Sequence, residues 1–408
     1  MIRMAYGIDY LRRKLASKQI RVGTRYTYYE MKNSVRDYNI TIPKDWTWFK
    51  AVLGWSSKAV DSLADRLVFR EMANDKFSMN AIFDMNSRDV FFDSAILSAC
   101  ISSCCFVYIS EDNEGYPRLQ VIDGGNATGI LDPITMLLTE GYAVLERDQN
   151  SAPILEAYFA PGSTMYIDST HGKPETYTIL NEAPYPLLVP IIHRPDARRP
   201  FGHSRISRAC MEIQQAALRT LKRSEISAEF YSFPQKWVTG LDPEAEPMEK
   251  WKATISALLQ FSKDESGDSP KLGQFSQQSM QPFLDQLRMF ASLFAGETGL
   301  TLDDLGFATE NPSSADAIKA SHENLRLAAR KAQRTFGTGF LNVGYLAACV
   351  RDGFPYLRRE VYKTQPKWEP IFEPDAAQLS GIGDAAMKIQ QSFPDYFDEE
   401  KLQDLTGI

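Results

Sequence analysis

The sequence predicts an α+β fold, and three observations carry that prediction. Short apolar segments separated by turn residues fill the stretch from Cys104 to Leu180, the pattern of a strand-rich region. Two tracts with apolar residues at helical spacing flank an insert over residues 233–280. A third helical tract follows, from Ala315 to about Arg351. A chain of 408 residues has room for two or three domains at about 150 residues each. Hydrophobic residues at 44% and charged residues at 24%, with 24 Gly and 22 Pro dispersed, exclude wholesale disorder.

Taken in order, the chain opens with a mixed helical pattern around Tyr10 to Leu15 and passes to RYTYYEMK, where Tyr26, Tyr28 and Tyr29 have the spacing of core or interface aromatics. Val60, Leu63, Ala64 and Leu67 recur at i, i+3, i+4 and i+7, which predicts an amphipathic helix, with Trp46, Trp48 and Trp55 sealing it. FFDSAILSACISSC reads as a helix. CCFVYIS, PRLQVIDG and YAVLERD read as strands separated by DNEG and DGGN turns, and AYFAPGSTMYID and ETYTILNEA as a further hairpin around THGK. Pro184, Pro186, Pro190, Pro195 and Pro200 forbid a helix and mark a boundary.

Beyond that boundary, Ile206, Cys210, Ile213, Ala217 and Leu221 predict a long helix from about Ser204 to Tyr231, ended by Pro234. A second helix starts near Gln281 with Phe283, Leu287, Phe290 and Phe294 as its stripe and stops at GETG. Two helices entering and leaving a small insert, with its strand-like QKWVTG and a short helix around Met248 to Leu259, make a stalk with a knob at its tip. A turn-forming stretch, LTLDDLGFATENPSS, precedes the third helix, which Ser313 or Ser314 caps. Gly337 and Gly339 lie inside that helix, and two glycines at about 1 kcal/mol each predict a kink or break there. KTQPKWEPIF reads as an edge strand, and the acidic tail as two short helices around SFPDYFDEE.

Chemistry-bearing patterns are sparse. No GxxxxGK[ST], GxSxG, HExxH or GxGxxG occurs, so no NTPase, hydrolase or dinucleotide site is expected. The net charge, 45 Lys and Arg against 52 Asp and Glu, is −7, which excludes a global positive field for nucleic acid. The stretch from Ser94 to Ser110 is uncharged but interrupted by five serines and too short for a membrane span of about 20 apolar residues. The N-terminus has basic residues with no apolar run after them, so no signal peptide or lipid anchor is expected.

Five cysteines, three of them (Cys100, Cys104, Cys105) in an apolar segment, read as reduced core thiols. The four histidines lie away from them, so no metal and no cofactor is expected. Carboxylates that could serve a metal-dependent nuclease are limited to Glu30 beside Lys32, and Asp242, Glu244 and Glu249 beside Lys250, without partner motifs. Asp303 and Asp304 are adjacent, point apart and read as solvated loop carboxylates. One basic cluster stands out, HRPDARRPFGHSRISR, with Arg194, Arg198, Arg199, Arg205 and Arg208. It can hold phosphates or set arginines against carboxylates of a neighbouring subunit, and its prolines and single aromatic, Phe201, favour the second. A large chain with a stalk and knob and no enzyme motif reads as an assembly component rather than an enzyme.

The order of elements resembles that of the portal proteins, or head-to-tail connectors, of tailed bacteriophages. SKAVDSLADRLVF resembles that family's N-terminal helix. RPDARRPFGHSRISRACMEIQQAALRTLKRSEISAEFYSFPQKWVTG is similar to its most characteristic stretch, and NPSSADAIKASHENLRLAARKAQRTF to the segment after its tunnel loop. The resemblance implies a portal fold: an α/β wing over residues 1–203, stem helices over 204–232 and 281–298, and a small α/β clip over 233–280. A tunnel loop over 299–314 would follow, then a long kinked helix, a C-terminal wing strand and a short or reduced crown over 315–408.

The resemblance further implies a dodecameric ring at one capsid vertex, through which double-stranded DNA passes without sequence specificity. Its partners would be the terminase large subunit, the major capsid and scaffolding proteins and head-completion or adaptor proteins. The protein would reside in the virion, and in the host cytoplasm during assembly. Asn311, Ser313, Ser314 and Lys319 are then candidate lumen residues, the five arginines candidate interface residues, and Trp237, Trp251 and Phe261 candidate partner-binding residues of the clip. The competing expectation is a metal-dependent nuclease or other DNA-processing enzyme of the same pathway.

Overall fold

A computed structural model describes residues 6–38, 50–232, 236–239, 271–274, 279–307, 320–372, 376–394, 396 and 401–402. The fold is α+β, as expected. Helix α1 (Ile8–Tyr29) is a single 22-residue rod, longer than its short apolar pattern suggested, and it buries Leu11, Leu15, Val22 and Tyr28. Helix α2 (Trp55–Ala64) carries the anticipated stripe, but it stops three residues before Leu67, which is buried beyond the helix end. The chain there turns into strand β1 (Phe69–Ala73). Helices α3 (Met79–Met85) and α4 (Arg88–Ser102) follow; α4 buries Phe91, Phe92, Ala95, Ile96 and Ala99.

Strands β2 (Cys104–Glu111), β3 (Pro117–Ile122) and β9 (Leu188–Ile192) form a three-stranded antiparallel sheet in the order β3-β2-β9. The first six residues of β2 are all buried, because α4 covers one side of the strand and the long helix over residues 323–352 reaches it too. A strand buried on both faces reads as a continuous apolar run, which is what CCFVYI is. Strand β9 was hidden in the proline-rich boundary. It tolerates Pro190 because it is an edge strand, and all five of its residues are buried. Strands β4 (Ala127–Leu131), β5 (Leu138–Arg147), β6 (Pro153–Ala160), β7 (Ser163–Asp168) and β8 (Glu175–Leu180) make a five-stranded antiparallel meander in chain order.

The stalk is a pair of antiparallel helices, α5 (Arg208–Ser232) and α6 (Gln281–Thr298), packed on one another. At 25 residues and about 1.5 Å each, α5 is about 37 Å long. It begins four residues later than its apolar spacing suggested, because Ser207 caps it: the Ser207 hydroxyl accepts the Cys210 amide at 3.1 Å. Helix α6 ends on Gly299, whose φ of 70° is the left-handed cap that GETG announced. Beyond these helices the described parts of the insert are strands β10 (Lys236–Thr239) and β11 (Lys271–Gln274), paired antiparallel. The expected helix around Met248 to Leu259 lies outside the described residues.

Helix α7 (Glu323–Asp352) runs unbroken through Gly337 and Gly339, so the expected break is absent. The reason lies in its neighbours. A Cβ at Gly337 would stand 2.8 Å from Pro366 Cγ, at Gly339 2.8 Å from Ile191 Cδ1, and at Gly344 2.7 Å from Met79 Sδ. The glycines let β9, α3 and strand β12 (Gln365–Trp368) approach the helix closely, and packing outweighs their poor helix propensity. β12 pairs antiparallel with β1, with Phe69 opposite Trp368, and these rings join Phe92 and Phe340 in one aromatic cluster. A short helix α8 (Arg358–Val361) precedes β12, and helix α9 (Ala376–Ser392), 17 residues long, follows it; most of the tail beyond residue 394, where the second expected helix falls, lies outside the described residues.

The glycine argument makes a prediction. Gly337→Ala is expected to lower stability by about 1–3 kcal/mol although it favours the isolated helix. Gly23→Ala in α1, whose added Cβ meets nothing within 4 Å, is expected to raise stability by about 0.5–1 kcal/mol. Chemical denaturation measures both, and a Gly337→Ala variant as stable as the parent would contradict the close-approach reading.

Candidate functional site

The basic cluster spans the loop between β9 and α5 and the first residue of α5, and the loop is closed by its own hydrogen bonds. His193 is buried, its amide donates to Ser103 O at 2.9 Å, and its ring Nδ1 meets His203 O at 2.6 Å. The His203 amide returns to His193 O at 2.9 Å, which ties the two ends of the loop together. Gly202 at φ 74° is required there, since a Cβ would sit 2.1 Å from His193 O. Within the loop, Asp196 Oδ1 accepts the amides of Arg198 and Arg199 at 2.8 and 2.7 Å. Its Oδ2 lies 2.5 Å from His203 Nε2, and this contact followed by the backbone amides holds the carboxyl below its usual range.

The five arginines of the cluster do not share one environment. Arg194, Arg198, Arg199 and Arg208 are exposed. Arg205 turns inward: Nε donates to Ala59 O at 3.0 Å and Nη2 to Thr298 O at 2.5 Å, joining α2 to the end of α6. Burial lowers its guanidinium pKa, and the two carbonyl acceptors compensate that desolvation. Arg205 is therefore engaged within its own chain, and four arginines remain available at the surface.

The structure adds residues that the linear cluster did not contain. Lys14, Lys18, Arg21 and Arg25 are spaced i, i+4, i+7 and i+11 along α1, one helical face, and they line a cleft of about 580 Å³ together with Arg199 and Arg208. The 3.6-residue periodicity of these cations was the signal available in the sequence. Lys14 Nζ donates to Gly129 O at 2.6 Å and stands 4.9 Å above the Phe201 ring, while Lys18 stands 5.0 Å above Phe106. Arg25 Nη1 donates to Ser102 O at 3.1 Å. Burial, and then its neighbour Lys18, pushes the Lys14 ammonium down to about 8; burial lowers Lys18 and Arg25 as well.

Other candidates fall elsewhere. Asn311, Ser313, Ser314 and Lys319 lie outside the described residues, as do Trp251 and Phe261. Trp237 is half-exposed on β10, opposite Gly273 in register, where its ring takes the space a Cβ would fill. Within residues 299–307 two side chains, Leu300 and Leu305, are buried, and Leu302 and Phe307 pack against the core, while Asp303 and Gly306 are exposed. Asp304 is part of a turn, its Oδ2 accepting the Thr301 amide and hydroxyl at 2.9 Å each. Glu30 and Lys32 pair with each other at 2.6 Å. The cysteines are all buried and free; burial pushes the Cys100 thiol up to about 12 and Cys349 to about 11. Among the described residues no three His, Cys, Asp or Glu side chains gather as a metal site, and no helix is long and apolar enough to cross a membrane.

Comparison with known proteins adds to this geometry. A family model described as phage portal protein, SPP1 Gp6-like, matches residues 8–389. The portal protein of Mycobacterium phage L5 is 22% identical over 394 residues, covering 92% of this chain and 79% of that protein. That of Mycobacterium phage D29 is 23% identical over 388 residues, covering 89% and 77%. Among solved structures, a chain of the neck of a native gene transfer agent particle, computed with C12 symmetry, aligns at a TM-score of 0.44 and 14% identity over 96% of this chain and 99% of that one.

The loop that presents the arginines is expected to be acid-sensitive. Burial lowers the His193 pKa from 6.5 to about 4, so the folded chain keeps the ring neutral while the unfolded chain takes up a proton below pH 6.5. Stability should therefore fall as pH drops from 6.5 to about 4, by about 3 kcal/mol from this residue. His193→Asn, which keeps a donor near Nδ1 and cannot titrate, should flatten that slope in denaturation curves taken across this range. An unchanged slope would assign the acid sensitivity to other groups.

Proposed function

Because the chain belongs to the SPP1 Gp6-like phage portal protein family, we propose that copies of it close into a ring around a channel for double-stranded DNA at one capsid vertex. The family match over residues 8–389 is the observation that carries this reading. In this reading residues 1–203 are the wing, α5 and α6 the stem, 233–280 the clip, 299–314 the tunnel loop, and the remainder the long helix, wing strand and reduced crown. The protein is a conduit and a docking platform: the clip receives the packaging terminase first and adaptor proteins afterwards, while capsid and scaffolding proteins surround the wing. It is assembled in the host cytoplasm and retained in the virion.

The physics of such a channel favours an acidic chain. In a twelvefold ring every lumen lysine becomes a belt of about 12 positive charges facing a duplex with one phosphate per about 1.7 Å, which would hold DNA rather than let it slide. A net charge of −7 per copy, with Lys319 and the polar Asn311, Ser313 and Ser314 as lumen candidates, suits passage. The antiparallel α5 and α6, with β10 and β11 between them in sequence, support the stem and clip assignment. Trp237, Trp251 and Phe261 are the aromatic anchors proposed for partners of the clip. The alternative of a DNA-processing enzyme is not favoured by the family match.

Two outcomes are expected. Native mass spectrometry and negative-stain images of the purified full chain should show closed rings, and monomer alone across concentration and salt would overturn the proposal. Removing Ala308 to Pro312 should leave rings abundant while impairing DNA packaging or retention, because shortening a loop changes closure entropy by only about 0.6 kcal/mol per halving. Phe307 stays in this deletion because it packs on the core. Packaging equal to the parent would show that this segment does not touch DNA.

A further inference from the structure

We propose that the cationic cleft between α1 and the β9–α5 loop is one half of the contact between adjacent copies of this chain, and that a carboxylate patch at the opposite end of α4 is the other half. This rests on the ring reading above and assigns the surfaces that make the ring. A ring needs a heterologous contact, in which two different surfaces of one subunit complement each other; a self-complementary patch stops at a dimer.

The cleft is lined by Lys14, Lys18, Arg21, Arg25, Arg199 and Arg208 and by no Asp or Glu. Among the described residues, none of the six cations takes part in an ion pair. For Lys14, Lys18 and Arg25, burial first and repulsion from neighbouring cations after it disfavour the charged form in the single subunit, so an anion entering the cleft would relieve a cost already present. The carboxylate patch shows the mirror situation. Asp93, exposed but partly desolvated, is raised by that desolvation and then by Asp89 and Asp65, and half-buried Asp61 by desolvation, with Asp65 adding to it although Tyr29 donates a hydrogen bond. Asp65, Asp89 and Asp93 likewise take part in no ion pair among the described residues.

Asp89 is too far from the cleft to neutralise it within one subunit. Ser102, at the C-terminal end of α4, lines the cleft, and Asp89 sits in the first turn of the same helix. The 13 helical steps from Asp89 to Ser102 span about 20 Å along the axis, roughly twice the Debye length at 0.1 M salt. A neighbouring copy displaced around a ring can bring its patch to the cleft. Duplex DNA fits the cleft less well. It is a wide rod whose phosphates meet protruding side chains, whereas Lys14 and Lys18 are half-buried beside aromatic rings.

Charge reversal tests the pairing. Arg21, Arg208, Asp89 and Asp93 are all exposed, so these substitutions remove no core contact; Glu at 208 suits the first turn of α5, whereas Asp89→Lys gives up a favourable first-turn charge on α4. Rings of the full-length Arg21→Glu/Arg208→Glu chain, and separately of the Asp89→Lys/Asp93→Lys chain, should fall at least about tenfold in abundance at fixed concentration by native mass spectrometry. The chain carrying all four substitutions, and an equimolar mixture of the two double variants, should recover them. Thermal melts of each variant report folding, and Arg21→Gln/Arg208→Gln replaces any reversal that fails to melt cooperatively. Normal rings in either double variant, or no recovery in the fourfold variant, overturn the pairing. Normal rings of the arginine variant that have lost retention of a short duplex would give the cleft to DNA instead. A parent chain without rings would fail the ring reading itself.

Discussion

The architecture depends on burying the C-terminal half of α7 around its whole circumference. From Phe336 to Val350 every residue except Thr338 is buried, and the neighbours come from distant parts of the chain: α3, β2, β9 and β12. A helix enclosed in this way is a spindle, and the partners can close on it only where side chains are absent. Gly337, Gly339 and Gly344 supply those places, and Asn342 fixes the rotation by donating to Thr135 O at 3.3 Å and accepting from the Tyr362 hydroxyl. Close packing of this kind contributes more than the helix propensity the glycines forfeit.

The α5/α6 hairpin is attached to that body through polar contacts at its root. Gln214 and Gln215 are buried on α5: Gln214 accepts the Ser56 amide at 3.0 Å and donates to Leu53 O, and Gln215 reaches the Tyr28 hydroxyl and Ser34 O. Lys222, nearly fully buried, pairs with Asp37 at 2.6 Å. Arg205 completes the root by bridging α2 and the end of α6. Buried hydrogen bonds of this kind are directional and costly to leave unmade, so they fix the angle at which the hairpin leaves the core. In a ring, that angle would be repeated in every copy.

The same loop that supplies Arg205 to the root presents Arg199 and Arg208 to a cleft shared with α1. One stretch of chain thus divides its guanidiniums between holding the subunit together and remaining available to an anion. His193 keeps the loop closed in its neutral form because burial disfavours the imidazolium.

The sequence by itself determined what depends on local periodicity and local chemistry: the stripes of α2, α5 and α6, most of the antiparallel strands, the glycine cap after α6 and the burial of the cysteines. It also carried a family likeness spread over long stretches, which no short motif could supply. Only the tertiary structure decided which side of each residue faces a partner. Pro190 marks a boundary on paper and an edge strand in the fold, because an edge needs no hydrogen bond from that nitrogen. Gly337 and Gly339 predict a break and instead admit Pro366 and Ile191. Arg205 and Arg208 are three positions apart in one basic run, yet one is enclosed by carbonyls and the other faces solvent. Lys14 and Arg199 are far apart in the chain and line one cleft. Periodicity is a property of a segment, whereas enclosure, close approach and charge neighbourhood are set by contacts between segments distant in sequence.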